Sequence, residues 1–334
     1  ASDATLTVNF SGDQITGTGI DGLSVLYAQD GGTNSITDES GSLNEIRDTD
    51  VSLAYTDNAA PVIMEVTFND VDNNGDAGYG SIDQAVVEFS EEVTITDGGS
   101  LPVMVVEDGA SSGYVLDADG YAGTVSSVIL NFSGAEIPST SISGLTMTYD
   151  QTPTTSSIID GSSNEIVDGD DAQTYTDAAL PVVMESTWRD EDIDGSIDRV
   201  MLRFSELVTV VDGGAGLGSI LIKDDGELHT IDDQDYTTAT YFSDNTAGTF
   251  DYSELILDFL SDEISGTDKA NLTITYDQTG VGSIKDESGA TNEVLSGDVS
   301  VVYTDDAAPA IIAAETEDED ANGLIDHIYV TFSE

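Results

Sequence analysis

Cysteine is absent from the 334 residues, so the chain has no disulfide, no thiolate metal site and no thiol nucleophile. Basic side chains are almost missing as well: 7 Lys and Arg stand against 66 Asp and Glu, a formal net charge of -59. A field of that sign repels nucleic-acid phosphates and anionic lipid headgroups, which argues against both as partners. No run approaches the roughly 18 consecutive apolar residues of a membrane-spanning helix, so no membrane insertion is expected of this segment. Histidine occurs only at His229 and His327, which do not recur at matching positions, and nothing singles out a catalytic pair among the acids. The expectation is a protein that is not an enzyme.

The shortage of bases is sharpest between Tyr55 and Tyr175, where Lys, Arg and His are all absent. No ion pair can form within that stretch. Carboxylates a few ångströms apart repel by about 1 kcal/mol even at the dielectric of water. A compact fold therefore needs cations, either bound at specific sites or supplied by a salt-rich medium whose screening length is about 3 Å at 1 M. The two are compatible. Acidity alone also marks disordered chains, but 39% of these residues are hydrophobic. They fall into short alternating runs rich in Val, Ile, Thr, Tyr and Phe, a pattern of strands.

Self-comparison organises those runs. YTDNAAPVIMEVTF from Tyr55, YTDAALPVVMESTW from Tyr175 and YTDDAAPAIIAAET from Tyr303 restate one another at spacings of 120 and 128 residues. LTMTYDQTP and LTITYDQTG keep the same beat, as does NEI or NEV at Asn44, Asn164 and Asn292. Periods this long are tandem domains, each able to bury its own core. The expected units are 1–56, the second half of a repeat; 57–176 and 177–304, two complete repeats; and 305–334, the opening strands of another. The end fragments point to a stretch of a longer array. Strand donation between neighbouring molecules is the other reading, although the two fragments together still omit about 30 residues of a unit. About seven short strands per unit and no helical period predict an all-β chain of tandem immunoglobulin-like β-sandwiches. Trp188 takes the strand position of Phe68 and is expected in a core.

Each unit's first strand runs into an acidic loop: DVDNNGD from Asp70, DEDIDGSID from Asp190 and DEDANGLID from Asp318. Oxygen-bearing side chains at positions 1, 3 and 5 followed by Gly surround one point, as in calcium loops of the EF-hand kind. The candidate ligands are Asp190, Asp192, Asp194 and Asp198 in the second loop, and Asp318, Asp320, Asn322 and Asp326 in the third. In the first they are Asp70, Asp72 and Asn74 before Gly75, then Asp83 after an insertion. No helix flanks these loops, and Met201 stands where an EF-hand has its bidentate Glu. Asp83 or Asp198, or Glu91 and Glu206 of the recurrent FSE, are candidates for the missing ligand. The competing reading is a solvated acidic turn. Oxygen-only ligands favour Ca2+ over zinc and magnesium.

A second candidate cluster lies at the junctions, where Asp57, Asp177 and Asp305 of YTD are expected near Glu45, Glu165 and Glu293 of NEI and NEV. Calcium there would stiffen the linkers, whereas a simple turn cap is the competing reading.

Together, YTDxAxP, DxDxDGxID and FSExV resemble immunoglobulin-like repeats of large bacterial and archaeal cell-surface proteins, including S-layer proteins and adhesin stalks. The resemblance spans the whole chain. It implies an extracellular structural protein, a filament, stalk or surface-layer component that self-associates and is rigidified by Ca2+. The alternative is an adhesin holding glycan or a protein ligand in its loops, for which Tyr114, Tyr121, Tyr236 and Tyr241 are the candidate aromatics.

Overall fold

The structure, a computed structural model, describes residues 5–10, 12, 14–20, 22–28, 36, 45–47, 55–71, 80–96, 104–107, 112–117, 123–132, 136–151, 156–211, 219–224, 227–229, 254–258, 264–267, 272–280, 282–287, 292–298 and 302–334. Among them there is no helix, and the regular structure is all β as expected. The first eight strands are β1 (Ile63–Asn69), β2 (Gln84–Thr96), β3 (Met104–Glu107), β4 (Ser112–Asp117), β5 (Gly123–Phe132), β6 (Thr146–Tyr149), β7 (Ser157–Asp160) and β8 (Thr174–Asp177). Next come β9 (Val183–Arg189), β10 (Ser196–Ile197), β11 (Arg199–Phe204), β12 (Val208–Val211), β13 (Ile220–Asp224) and β14 (Glu227–His229). They are followed by β15 (Glu254–Asp258), β16 (Ile264–Ser265), β17 (Thr273–Tyr276), β18 (Ser283–Asp286) and β19 (Val302–Asp305). A two-stranded ribbon of β20 (Ile311–Glu317) and β21 (His327–Phe332) closes the chain.

Alternation of side chains along an extended backbone sorts each strand into an inner and an outer face. In β11, Val200, Leu202 and Phe204 are buried while Arg199, Met201 and Arg203 face outward. The buried residues gather into two separate cores, one drawn from Ile63 to Ala179 and the other from Val183 to Ala307. In the second, a four-stranded sheet β15-β11-β9-β19 contributes Trp188, Leu202 and Leu257, and a three-stranded sheet β14-β13-β17 contributes Ile222, Ile274 and Tyr276. Two sheets meeting over one apolar layer make a β-sandwich. Trp188 is 1% exposed, the core position expected of it, and its counterpart Phe68 stacks on Tyr175 with ring centroids 6.1 Å apart.

Two topological details position the site. The strands carrying YTD, β8 and β19, pair in parallel with β1 and β9 respectively, so each core ends beside the strand that opened it. Ala179 and Ala307 then pack into the core just completed before the chain crosses to the next first strand. The FSE segment is a discontinuity in both cores. The register of β2 against β5 shifts between Glu88 and Val93, and in the second core the chain breaks at 205–207 between β11, which pairs with β9 and β15, and β12, which pairs with β18. A break of this kind re-aims side chains out of the pleat, and it aims Glu91 and Glu206.

Candidate metal centres

The acidic loops are organised by their first aspartate. Asp190 Oδ1 accepts the amides of Ile193 at 2.6 Å and Asp194 at 3.2 Å, and Oδ2 accepts that of Gly195 at 2.9 Å. Asp318 repeats this with Asn322 at 3.0 Å and Gly323 at 2.7 Å. In the first loop Asp70 Oδ2 accepts from Gly80 at 3.0 Å. Gly80, not the expected Gly75, is therefore the counterpart of Gly195. The insertion hides the match, and Asp72, Asn74 and Gly75 lie outside the described residues. Asp83, Asp198 and Asp326 close their loops by accepting the amides of Val71, Glu191 and Glu319, each at 3.0 Å. Burial, then the charges of Asp192 and Asp190, push the Asp198 carboxyl up against the pull of the Glu191 amide.

Asp190, Asp192 and Asp194 each place an oxygen within 4.8 Å of the others, and so do Asp318, Asp320 and Asp326. Asn322 sits in its loop with Oδ1 accepting from Leu324 at 2.9 Å. Both groups face solvent, so an ion there would keep water ligands. The loops also touch the following first strand. A Cβ on Gly195 would strike Ile312 Cγ2 and lie 3.2 Å from Ser333 Cβ, and one on Gly80 would strike Met184 and lie 2.7 Å from Val182 Cγ2.

A different kind of cluster forms where one core hands over to the next. Asp177 at the end of β8, Glu206 in the break after β11 and Asp286 at the end of β18 converge with ligand oxygens within 4.8 Å, at 5%, 3% and 2% exposure. Asp57, Glu91 and Asp160 repeat the arrangement one unit earlier. A threonine from the preceding segment reaches each one. Thr140 Oγ1 donates to Glu206 Oε1 at 2.7 Å and lies 2.6 Å from Ser205 Oγ, and Thr18 likewise contacts Ser90 and donates to Glu91. Thr267 meets Ser333 in the same way at 2.6 Å. Burial lifts Glu206 to about 8, opposed by the Thr140 hydroxyl and reinforced by the Asp177 and Asp286 charges. Asp177 is lifted to about 7 by burial and then by Asp286, while the Ala179 and Ile142 amides pull the other way.

This geometry revises two expectations. Among the described residues, Glu91 and Glu206 do not complete the acidic loops; they join Asp57 and Asp177, because the strand break turns them toward the joint. The NEI and NEV glutamates are not partners of those aspartates. Glu45, Glu165 and Glu293 accept the hydroxyls of Tyr27, Tyr149 and Tyr276 at 2.8, 2.8 and 2.9 Å. The asparagine of the motif approaches instead: Asn164 Nδ2 donates to the Asp57 and Ala59 carbonyls, and Asn292 Nδ2 to those of Asp177 and Ala179. Asp305 is exposed and joins no acidic group among the described residues. Asp57, Asp177 and Asp305 all cap a turn through Oδ1, accepting from Ala59, Ala179 and Ala307.

No family model, curated protein or solved structure matches this chain. Sequence reasoning missed Asp160 and Asp286, which precede the NEI and NEV segments in IIDGSSNEI and IKDESGATNEV at unequal distances, four residues before Asn164 and six before Asn292. Of the loop aromatics, Tyr121, Tyr236 and Tyr241 lie outside the described residues, and Tyr114 is placed in β4.

Proposed function

We propose that this chain is a structural protein of an extracellular surface, built of immunoglobulin-like repeats whose joints are rigidified by Ca2+, and that it self-associates as a filament, stalk or surface layer. The observation that carries this reading is the position of the acidic loops. Gly80 and Gly195, held by Asp70 and Asp190, press on the first strand of the next segment, leaving no room for a Cβ. An ion that orders such a loop also orders the joint beside it. The donor set fits: carboxylate and amide oxygens on Asp190, Asp192, Asp194, Asp318, Asp320, Asn322 and Asp326 are hard ligands of the kind calcium takes in groups of 6 to 8. The extreme acidity gives the same requirement from another direction, since the cores must sit close together against their own charge.

The test is small-angle X-ray scattering of the full chain in low salt, with calcium and with chelator. Calcium is expected to extend and narrow the distribution of shapes, and superimposable curves would reject the reading.

A further inference from the structure

The structure assigns an enclosed divalent-cation site to Asp177, Glu206 and Asp286, buried in the joint between the two cores and separate from the solvent-facing acidic loops. It rests on the calcium reading above and deepens it by naming a second class of site, with Asp286 as a ligand. The three carboxylates come from the end of β8, the strand break before β12 and the end of β18, and no two are sequence neighbours. Packing has brought them together while removing them from water.

An acidic cluster alone would not make a site, but one oxygen here points to a ligand. Asp177 Oδ1 accepts the Ala179 amide at 3.2 Å and the Ile142 amide also acts on the carboxylate, whereas Asp177 Oδ2 is buried and makes no hydrogen bond of acceptable geometry. A buried carboxylate oxygen in that condition needs a cation or a proton.

The convergence of three carboxylates favours the cation, since one divalent ion offsets more of their mutual repulsion than one proton does. Val182 N–H donates to Ser205 Oγ at 3.0 Å, and Thr140 donates to Glu206, so the Ser205 proton is directed at Thr140 Oγ1. With Glu206 ionised beside a cation, this chain of donors ends on its Oε1. Asp57, Glu91, Asp160 and Thr18 build the same arrangement one unit earlier, with Glu91 opening onto a cleft lined by Gly19, Ile20, Glu92 and Ser162.

The ligands name the ion class. Three carboxylates with no nitrogen or sulfur donor suit a hard cation, and an enclosed site that strips water suits Ca2+ better than Mg2+, which dehydrates reluctantly. Because Asp177 ends the last strand of one core while Glu206 and Asp286 belong to the next, an ion here bolts the two together.

The experiment is equilibrium dialysis of the full 334-residue chain against calcium, with melting curves in calcium and in chelator. Asp286→Asn is expected to bind about one calcium fewer per chain than wild type and to lose at least half of the calcium-induced rise in melting temperature. Asp190→Asn should instead weaken a separate, lower-affinity site. Wild-type stoichiometry and an undiminished rise in Asp286→Asn would overturn the assignment. Should that variant fail to fold, Asp177→Asn gives the same readout with the same two outcomes. A wild-type chain that binds no calcium would reject the functional reading itself, whereas calcium binding untouched by the joint variants would reject this site alone.

Discussion

Thr140, between β5 and β6 of the first core, donates its hydroxyl to Glu206 of the second across 2.7 Å of buried joint. The contact links sites 66 positions apart and recurs as Thr18 to Glu91. A surface-exposed bond would matter little. Here, both groups are removed from water, so the bond is also a constraint on how the cores are held.

Replacing Thr140 with Val keeps the shape and removes the donor. A buried acceptor that loses its partner costs roughly 1–3 kcal/mol, so Thr140→Val is expected to lower the free energy of unfolding by that amount. The Glu206→Gln background should shrink the loss, and a double-mutant cycle in urea measures the coupling. Additive single-variant effects would show that the contact does not join the cores.

Calcium removal should be felt as lost stability. An ion at a thousand times its dissociation constant adds about 4 kcal/mol per site, which for bodies of this size corresponds to roughly 10 °C or more in melting temperature. Calorimetry in low salt, with and without chelator, checks it.

The joint carboxyls set a pH dependence whose sign follows from their direction of shift. Glu206 near 8 and Asp177 near 7 are both raised above their unfolded values, chiefly by burial. The folded chain therefore holds protons that the unfolded chain has released, and this contribution is full below about pH 4 and lost as pH rises through 7 to 8. In chelator the melting temperature should fall across that window. Calcium bound at the joint would have to displace those protons, so calcium affinity should rise with pH over the same range.

Gly195 and Gly323 separate contact from backbone strain. Both adopt left-handed conformations, φ 93° and 86°, but only Gly195 faces a neighbour that a Cβ would strike. Gly323→Ala should cost of the order of 1 kcal/mol in strain. Gly195→Ala should cost distinctly more and loosen the joint, seen as broader scattering profiles even in calcium.

Much of the architecture was legible because it depends on local pattern. Alternation in RVMLRF and the recurrence of YTD required strands, and Trp188 aligned with Phe68 marked a core position. The acidic loops were legible for the same reason, since Asp190 to Gly195 is a short-range device. The first loop is less legible, because a five-residue insertion preserves composition while moving the glycine that takes the turn from Gly75 to Gly80. Glu206 is legible as a candidate ligand, but the carboxylates it joins are not. Its direction depends on a strand break, and no residue pattern near it says which way the break turns.

The sequence by itself determined that the chain is all β, that its units repeat, and that it carries a net charge of -59, because periodicity and net charge are properties of the string. Only the tertiary structure decided where buried anions meet. Asp177, Glu206 and Asp286 are brought together by sheet pairing over long separations, and the enclosure that leaves Asp177 Oδ2 without a hydrogen bond is a property of packing that no local motif encodes.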